Sequence, residues 1–216
     1  MIYVTVPGDT VSSISRQSGV PVWKIIYDNQ LGEEGELTVG QALLLLKPQE
    51  SAEIREDLYV TGYAYPFIEP YVLEMAFPAL NELLVFSYGF TFEGELVPPI
   101  QDETWMIQLA WENGIEPMLV LTPFTQGVFN NQLIQTLVEE ESVRENVITN
   151  LLKVVEEKGY VGVDVDFEYV RAQNREGYAE FVGELRAAMN EKGYRVSVAL
   201  APKTSSDQKG LLYEGI

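Results

Sequence analysis

The chain has 216 residues, of which 46% are hydrophobic, and a formal net charge of -19. That charge argues against nucleic acid or anionic lipid as a partner, and no run approaches the roughly 20 apolar residues of a membrane span. Cysteine and histidine are both absent, which excludes disulfides, thiol nucleophiles, Ser-His and Cys-His triads and ordinary zinc sites. Any catalysis has to run on carboxylates, tyrosines, lysines or hydroxyls.

The first residues, Met-Ile-Tyr-Val-Thr-Val-Pro-Gly-Asp, offer neither a basic start nor an apolar segment, so no Sec-type signal peptide is expected. Tyr3 to Val6 reads as a short strand that ends at the turn Pro7-Gly8-Asp9. Asp9 or Thr10 can cap a helix through Val11 and Ile14 that stops at Gly19. A second short helix with Val22, Ile25 and Ile26 on its apolar face ends near Asn29, and Gln41 to Leu46 forms a second strand before Pro48. Residues 1–48 are therefore expected to fold as a βααβ module. Tyr3, Gly8-Asp9-Thr10-Val11, Ile14, Gly19-Val20, Asn29, Leu31, Gly40-Gln41 and Leu43 give it a resemblance to the LysM domain. That resemblance implies a groove beside the Gly-Asp-Thr turn that binds N-acetylglucosamine-containing glycans. Candidate contacts are Gly8, Asp9, Thr10, Val11, Asn29 and Leu31. Val6, Ile14, Ile25 and Leu43 read simply as core, while Gly8 to Val11 suit either turn-making or binding.

Residues 49–57 are polar and read as a linker. Beyond them strands and helices alternate. Strands are expected at Leu58 to Tyr63, Leu83 to Ser87, Pro117 to Leu121 and Arg195 to Leu200. Helices are expected at Glu69 to Phe77, Glu103 to Glu112, Asn174 to Lys192 and across Asn131 to Lys158, the last with a break near Glu139-Glu140-Glu141-Ser142. With the acidic strand described next, this makes five βα-type repeats and predicts a parallel α/β sheet. No Gly-rich phosphate loop follows any of the strands, which disfavours a nucleotide-binding sheet.

The rest is organised around Tyr160 to Val170. From Val163 to Glu168 apolar residues and acids alternate strictly, the period-2 pattern of a strand with two unlike faces. Val163, Val165 and Phe167 share one face; Asp164, Asp166 and Glu168 share the other. Strands in a βα series are covered on both faces, and carboxylates are costly to bury unless paired or shifted in pKa. Three of them on one strand point to a site.

The run Gly162, Asp164, Asp166, Glu168 resembles the Asp-Gly-x-Asp-x-Asp-x-Glu motif of glycoside hydrolase family 18, with Val161 where the first Asp would stand. Val196 to Lys203 is similar to the family's fifth strand, whereas Leu119 to Thr122 lacks the Ser-x-Gly-Gly of many chitinases. A LysM module followed by such a domain, with Thr61-Gly62-Tyr63 in its first strand, looks like the bacterial spore cortex-lytic N-acetylglucosaminidases. The resemblance implies a (β/α)₈ TIM barrel and retaining, substrate-assisted hydrolysis beside N-acetylglucosamine in peptidoglycan. By resemblance Glu168 is the general acid, Asp166 orients the 2-acetamido group, and Asp164 interacts with Asp166. Two carboxylates this close are expected to share a proton. No metal or organic cofactor enters that scheme, and the implied location is the spore coat or cortex.

A complete barrel of this kind takes about 250 residues, and the stretch 58–216 supplies about five of eight βα units, so an incomplete barrel is expected. Without its remaining loops this chain is expected to show no appreciable hydrolysis by itself. Tyr63, Tyr65, Tyr88, Phe90, Phe92 and Tyr169 fall at or beyond strand C-termini, where they could stack on sugars, although core packing or loop anchoring is the commoner role for any single one. Trp105 and Trp111 read as helix packing residues. Two alternatives stay open at this point: a non-catalytic peptidoglycan- or chitin-binding protein, and an acidic site for Mg²⁺ or Ca²⁺.

Overall fold

The computed structural model describes residues 1–32, 35–47, 58–125, 128–168 and 170–200. The chain divides into two compact units, Met1–Leu58 and Tyr59–Ile216. The expected linker at 49–57 lies outside the described residues.

In the first unit β1 (Ile2–Val4) is followed by α1 (Val11–Ser18), α2 (Val22–Asp28) and β2 (Ala42–Leu44). The two strands pair antiparallel, Tyr3 opposite Leu43. Thr10 caps α1 through a reciprocal pair of bonds with Ser13, which satisfies amide groups the helix itself leaves open. Val11, Ile14, Val20, Ile25, Leu43 and Leu45 make a small core of their own, whereas Val6, expected in it, is 53% exposed just before the turn.

The second unit is a parallel sheet with helices. In chain order it runs β3 (Thr61–Ala64), α3 (Pro70–Ala76), β4 (Glu82–Phe90), β5 (Leu96–Val97), α4 (Thr104–Glu112), β6 (Glu116–Leu121), a small hairpin of β7 (Phe124–Thr125) and β8 (Val128–Phe129), α5 (Asn131–Glu139), α6 (Glu141–Lys158), β9 (Gly162–Val165), α7 (Arg175–Glu191) and β10 (Arg195–Val198). The main strands lie in the order β10-β9-β6-β4-β3, each pair parallel, with β5 antiparallel on β4. The helical stretch 131–158 does break at Glu140, which serves as both the end of α5 and the start of α6.

Register explains the two faces of this sheet. Leu83, Val85, Leu119, Leu121, Val163 and Val165 alternate onto one face and join Met106, Leu133, Val147, Phe181 and Leu185 from the helices in the main core. The other face carries Tyr63, Leu84 and Met118 in one rung, then Val120, Asp164 and Ser197 in the next. Leu84, Met118 and Val120 form a second apolar cluster there. Gly162 is required where β9 meets β10, because a Cβ would collide with the carbonyl oxygen of Arg195.

The sheet curves strongly. β3 and β9 are separated by β4 and β6, which on a flat sheet would set them about 14 Å apart. The Tyr63 hydroxyl nevertheless donates to Asp164 at 2.7 Å. An arc of this kind matches the expected incomplete barrel.

Candidate active site

The acidic strand is shorter than its alternation suggests. β9 ends at Val165; Asp166 still bonds to Leu121 through its amide at 2.9 Å, and the chain then leaves the sheet. Val163, Val165 and Phe167 are wholly buried in the helix-side core, with the Phe167 ring stacked on Phe90, Tyr178 and Phe181. Those anchors fix the segment and hold Asp164, Asp166 and Glu168 away from the helix layer. Asp164 is 3% exposed, while Asp166 and Glu168 are partly buried.

Asp164 is held at both oxygens, by Tyr63 at 2.7 Å and by Ser197 at 2.5 Å. Burial, then the hydrogen bond to Asp164 and its charge, raises Tyr63 well above the usual tyrosine range, so it remains a donor. Asp166 is raised from 3.8 to about 6 by burial, followed by the charges of Glu168 and Asp164. A carboxyl near 6 beside two others takes up and releases a proton just below neutral pH. No group of three or more acidic side chains among the described residues is arranged to hold a metal ion.

Next to the acids lies an aromatic cleft of about 490 Å³ at the C-terminal ends of β3 and β4, lined by Tyr65, Phe67, Phe86, Phe124, Pro98 and Ile100 among others. Tyr65 stacks on Phe67 with ring centres 4.9 Å apart and tilts against Phe86 at 4.8 Å. Phe86 in turn meets the edge of Tyr63, whose hydroxyl reaches Asp164. The carboxylates adjoin this cleft through Tyr63 and do not line it.

Three sequence-derived candidates are engaged in holding the fold. Tyr88 is 3% exposed in the helix-side core and donates to the buried Glu103 at 2.6 Å, with Lys158 on the same carboxylate oxygen. The register of β4 shifts between Val85 and Tyr88, which reverses the alternation and turns Tyr88 and Phe90 toward the helices. Asn29 is engaged with the backbone: its amide donates to Ile25 and Leu44 at 2.8 and 2.9 Å and its oxygen accepts from the Leu44 amide at 2.6 Å. Leu31 packs on the small core. Tyr169 lies outside the described residues.

Asp9, Thr10 and Val11 do line a groove of about 390 Å³, with Val22, Ile26 and Leu37 on its other walls. Asp9 braces the turn by accepting from the Val6 amide at 2.7 Å and the Tyr3 hydroxyl at 2.9 Å. Gly8 serves the turn itself at φ +94°, a conformation side chains disfavour. A cavity of about 820 Å³ in the same unit, lined by Met1, Trp23, Lys24 and Leu46 among others, shares no residue with that groove.

A second polar cluster occupies the N-terminal ends of the strands. Arg195 on β10 reaches Glu82 at 2.8 Å and Glu116 at 2.7 Å, and Tyr59 donates to Glu116 at 3.0 Å. Burial raises Glu82 despite Arg195, whereas the hydrogen bond from Arg195 holds Glu116 low. This cluster ties β4 and β6 to β10, at the opposite ends of the strands from the aromatic cleft.

Residues 3–45 match the LysM domain model, and residues 127–216 match the model for glycosyl hydrolases family 18. The cortical fragment-lytic enzyme of Bacillus subtilis (strain 168) is 32% identical over 140 residues, 64% of this chain and 32% of that protein. The crystal structure of the Bacillus megaterium QM B1551 spore cortex-lytic enzyme SleL superposes with a TM-score of 0.66 at 26% identity, covering 99% of this chain and 50% of the other. In fold alone, a class V chitininase from Pseudomonas fluorescens Pf-5 is also similar, with a TM-score of 0.64 at 22% identity over 69% of this chain and 47% of the other. The chain spans about half the length of the relatives it matches end to end. A stretch similar to the LysM domain is thus followed by one similar to family 18 glycosyl hydrolases, on an open, TIM-barrel-like sheet, and the chain as a whole is similar to spore cortex-lytic enzymes.

Proposed function

We propose that this chain carries the acid machinery of a retaining glycosidase that cuts β-glycosidic bonds next to N-acetylglucosamine in peptidoglycan, above all that of the spore cortex. The observation that carries the reading is the acid rung. Asp164 is fixed by hydroxyls from both ends of the sheet, Asp166 is raised to about 6 beside it, and Glu168 follows on the same side.

In this reaction Glu168 donates its proton to the leaving glycosidic oxygen. The 2-acetamido oxygen of the sugar attacks its own anomeric carbon as that bond breaks, giving a bicyclic oxazolinium ion. Asp166 orients the acetamido group and stabilises the positive charge that develops on it, while Asp164 stays hydrogen-bonded beside it. Water, deprotonated by the Glu168 carboxylate, then opens the ring with overall retention. Tyr65, Phe67 and Phe86 offer apolar ring faces for sugars next to the acids. The LysM groove at Asp9, Thr10 and Val11 tethers the protein to the polymer. The names of the similar Bacillus enzymes support the spore cortex as substrate and location.

The test is release of reducing sugar from muramyl glycan, by this chain and by a version extended to the length of its relatives. Parent and Glu168→Gln forms are compared at matched folding. Hydrolysis is expected from the extended parent and to be lost in its variant; equal activity in the two would end the reading.

A further inference from the structure

The small sheet of the first unit is apolar on both of its faces. Leu43 and Leu45 turn into the core of that unit, with Tyr3 packed against it. The alternating residues, Ile2, Val4 and Val6 on one side and Ala42, Leu44 and Leu46 on the other, point away from it. Ile2 lies opposite Leu44 and Val4 opposite Ala42, which joins them into one stripe. Ile2 is 63% exposed, Val4 55%, Val6 53%, Leu46 44% and Leu44 36%. The open face of a sheet covered on one side is ordinarily polar; none of these six side chains carries a polar or charged group. At one end Leu46 joins Met1 and the 57% exposed Trp23 on the wall of the cavity of about 820 Å³, whose charged side chains are both lysines, Lys24 and Lys47.

We propose that this stripe is the contact surface for a second copy of the chain, the two copies meeting face to face about a two-fold axis. Charge selects the occupant. The chain carries a net charge of -19, so two copies repel, and they approach most easily through a face that holds no acid. A purely apolar face is complementary to itself, as a two-fold contact requires. The area fits as well. Together with Met1 and Trp23 the six side chains offer on the order of 800 Å² of exposed surface, about what each partner gives to a stable interface of ordinary size. A sugar needs hydrogen-bond partners that these side chains lack, and an anionic bilayer is opposed by the same net charge. None of the residues lining the groove at Asp9, Thr10 and Val11 lies on the stripe, so the dimer leaves both grooves open.

The experiment is sedimentation velocity of the 216-residue chain between about 1 and 100 μM. The parent is expected to form a dimer with a Kd of about 10 μM or below, and to associate more tightly when salt screens the repulsion between the copies. Val4→Lys and Leu44→Lys each place a charge in the contact and should weaken association by about 100-fold or more. Val4→Thr keeps the shape and strand preference of the side chain and should weaken it about tenfold, the effect of one hydroxyl buried without a partner; this variant keeps the test open if a lysine variant does not fold. Val128→Lys, at a 61% exposed position of the second unit, should associate like the parent. A parent that stays monomeric across the range overturns the proposal. Association that survives both lysine variants in folded form also overturns it, by placing the contact on another surface. So does association that salt weakens, which would make the contact one of ion pairs. Sedimentation needs no glycan, so the result stands apart from the glycosidase reading.

Discussion

Replacing Asp166 with asparagine should stabilise the sheet unit above pH 6 and lose that advantage as the pH falls toward 4. Burial first, then the charges of Glu168 and Asp164, raises this carboxyl from 3.8 to about 6. A carboxyl raised on folding binds its proton more tightly in the folded chain. Its contribution to stability is therefore fully present below the unfolded value and is lost as pH rises through about 6. A rise of about two units at about 1.4 kcal/mol each gives about 3 kcal/mol, and solvent at the partly exposed side chain screens this to about 2 kcal/mol. Asparagine carries no charge, so at pH 8 the variant escapes the crowding, while at pH 4 the parent has escaped it already by taking up a proton. Urea unfolding followed through the backbone amide signals of Val163 and Val165 reports this unit without interference from the first one. Relative to the variant, the parent should lose about 2 kcal/mol between pH 4 and pH 8. Parallel curves for the two proteins would refute the idea that burial and neighbouring charge load Asp166.

Three further outcomes are expected. Arg195→Gln leaves the buried Glu82 without its cation and should cost about 3 kcal/mol at pH 7; the cost shrinks near pH 5, because burial raises Glu82 and lets it neutralise. Urea unfolding at the two pH values reads this difference. Tyr88→Phe removes one donor from the buried Glu103 and should cost about 1–2 kcal/mol, with affinity for N-acetylglucosamine oligomers unchanged by calorimetry; a loss of affinity would return Tyr88 to the site. Asn29→Ala breaks three bonds between the end of α2 and β2 and should lower the melting point of the first unit, by about 2 kcal/mol in stability, without weakening glycan binding by the folded fraction.

Much of the second unit is legible in sequence because period-2 alternation survives wherever a strand stays regular. Val163, Val165 and Phe167 go to the helix side as their spacing requires, and Asp164 to the other. Alternation fails at β4, where a register shift turns Tyr88 inward among the helices; no residue between Val85 and Tyr88 announces it. The Tyr63–Asp164–Ser197 rung is invisible for a different reason. Hydrogen bonds across 101 and 33 residues depend on strand order, register and the curvature of the sheet, none of which a single strand's pattern carries. Arg195, Glu82 and Glu116 left a faint trace, since each charged residue is the first of its strand. In the first unit the turn at Gly8 to Thr10 is readable from residue types, whereas the capture of Asn29 by backbone on β2 needs the fold. Phe67, Phe86 and Phe124 carry no signal in the sequence, because they converge from separate loops and strands into one cleft.

Turnover of muramyl glycan by the length-extended protein tests most directly the proposed role of Glu168 as general acid beside Asp164 and Asp166. Loss of a general acid typically costs two to four powers of ten in rate. Glu168→Gln should therefore lower kcat by about 10²–10⁴ while the protein stays folded and still binds the glycan. A variant that turns over at the parent's rate would contradict the account.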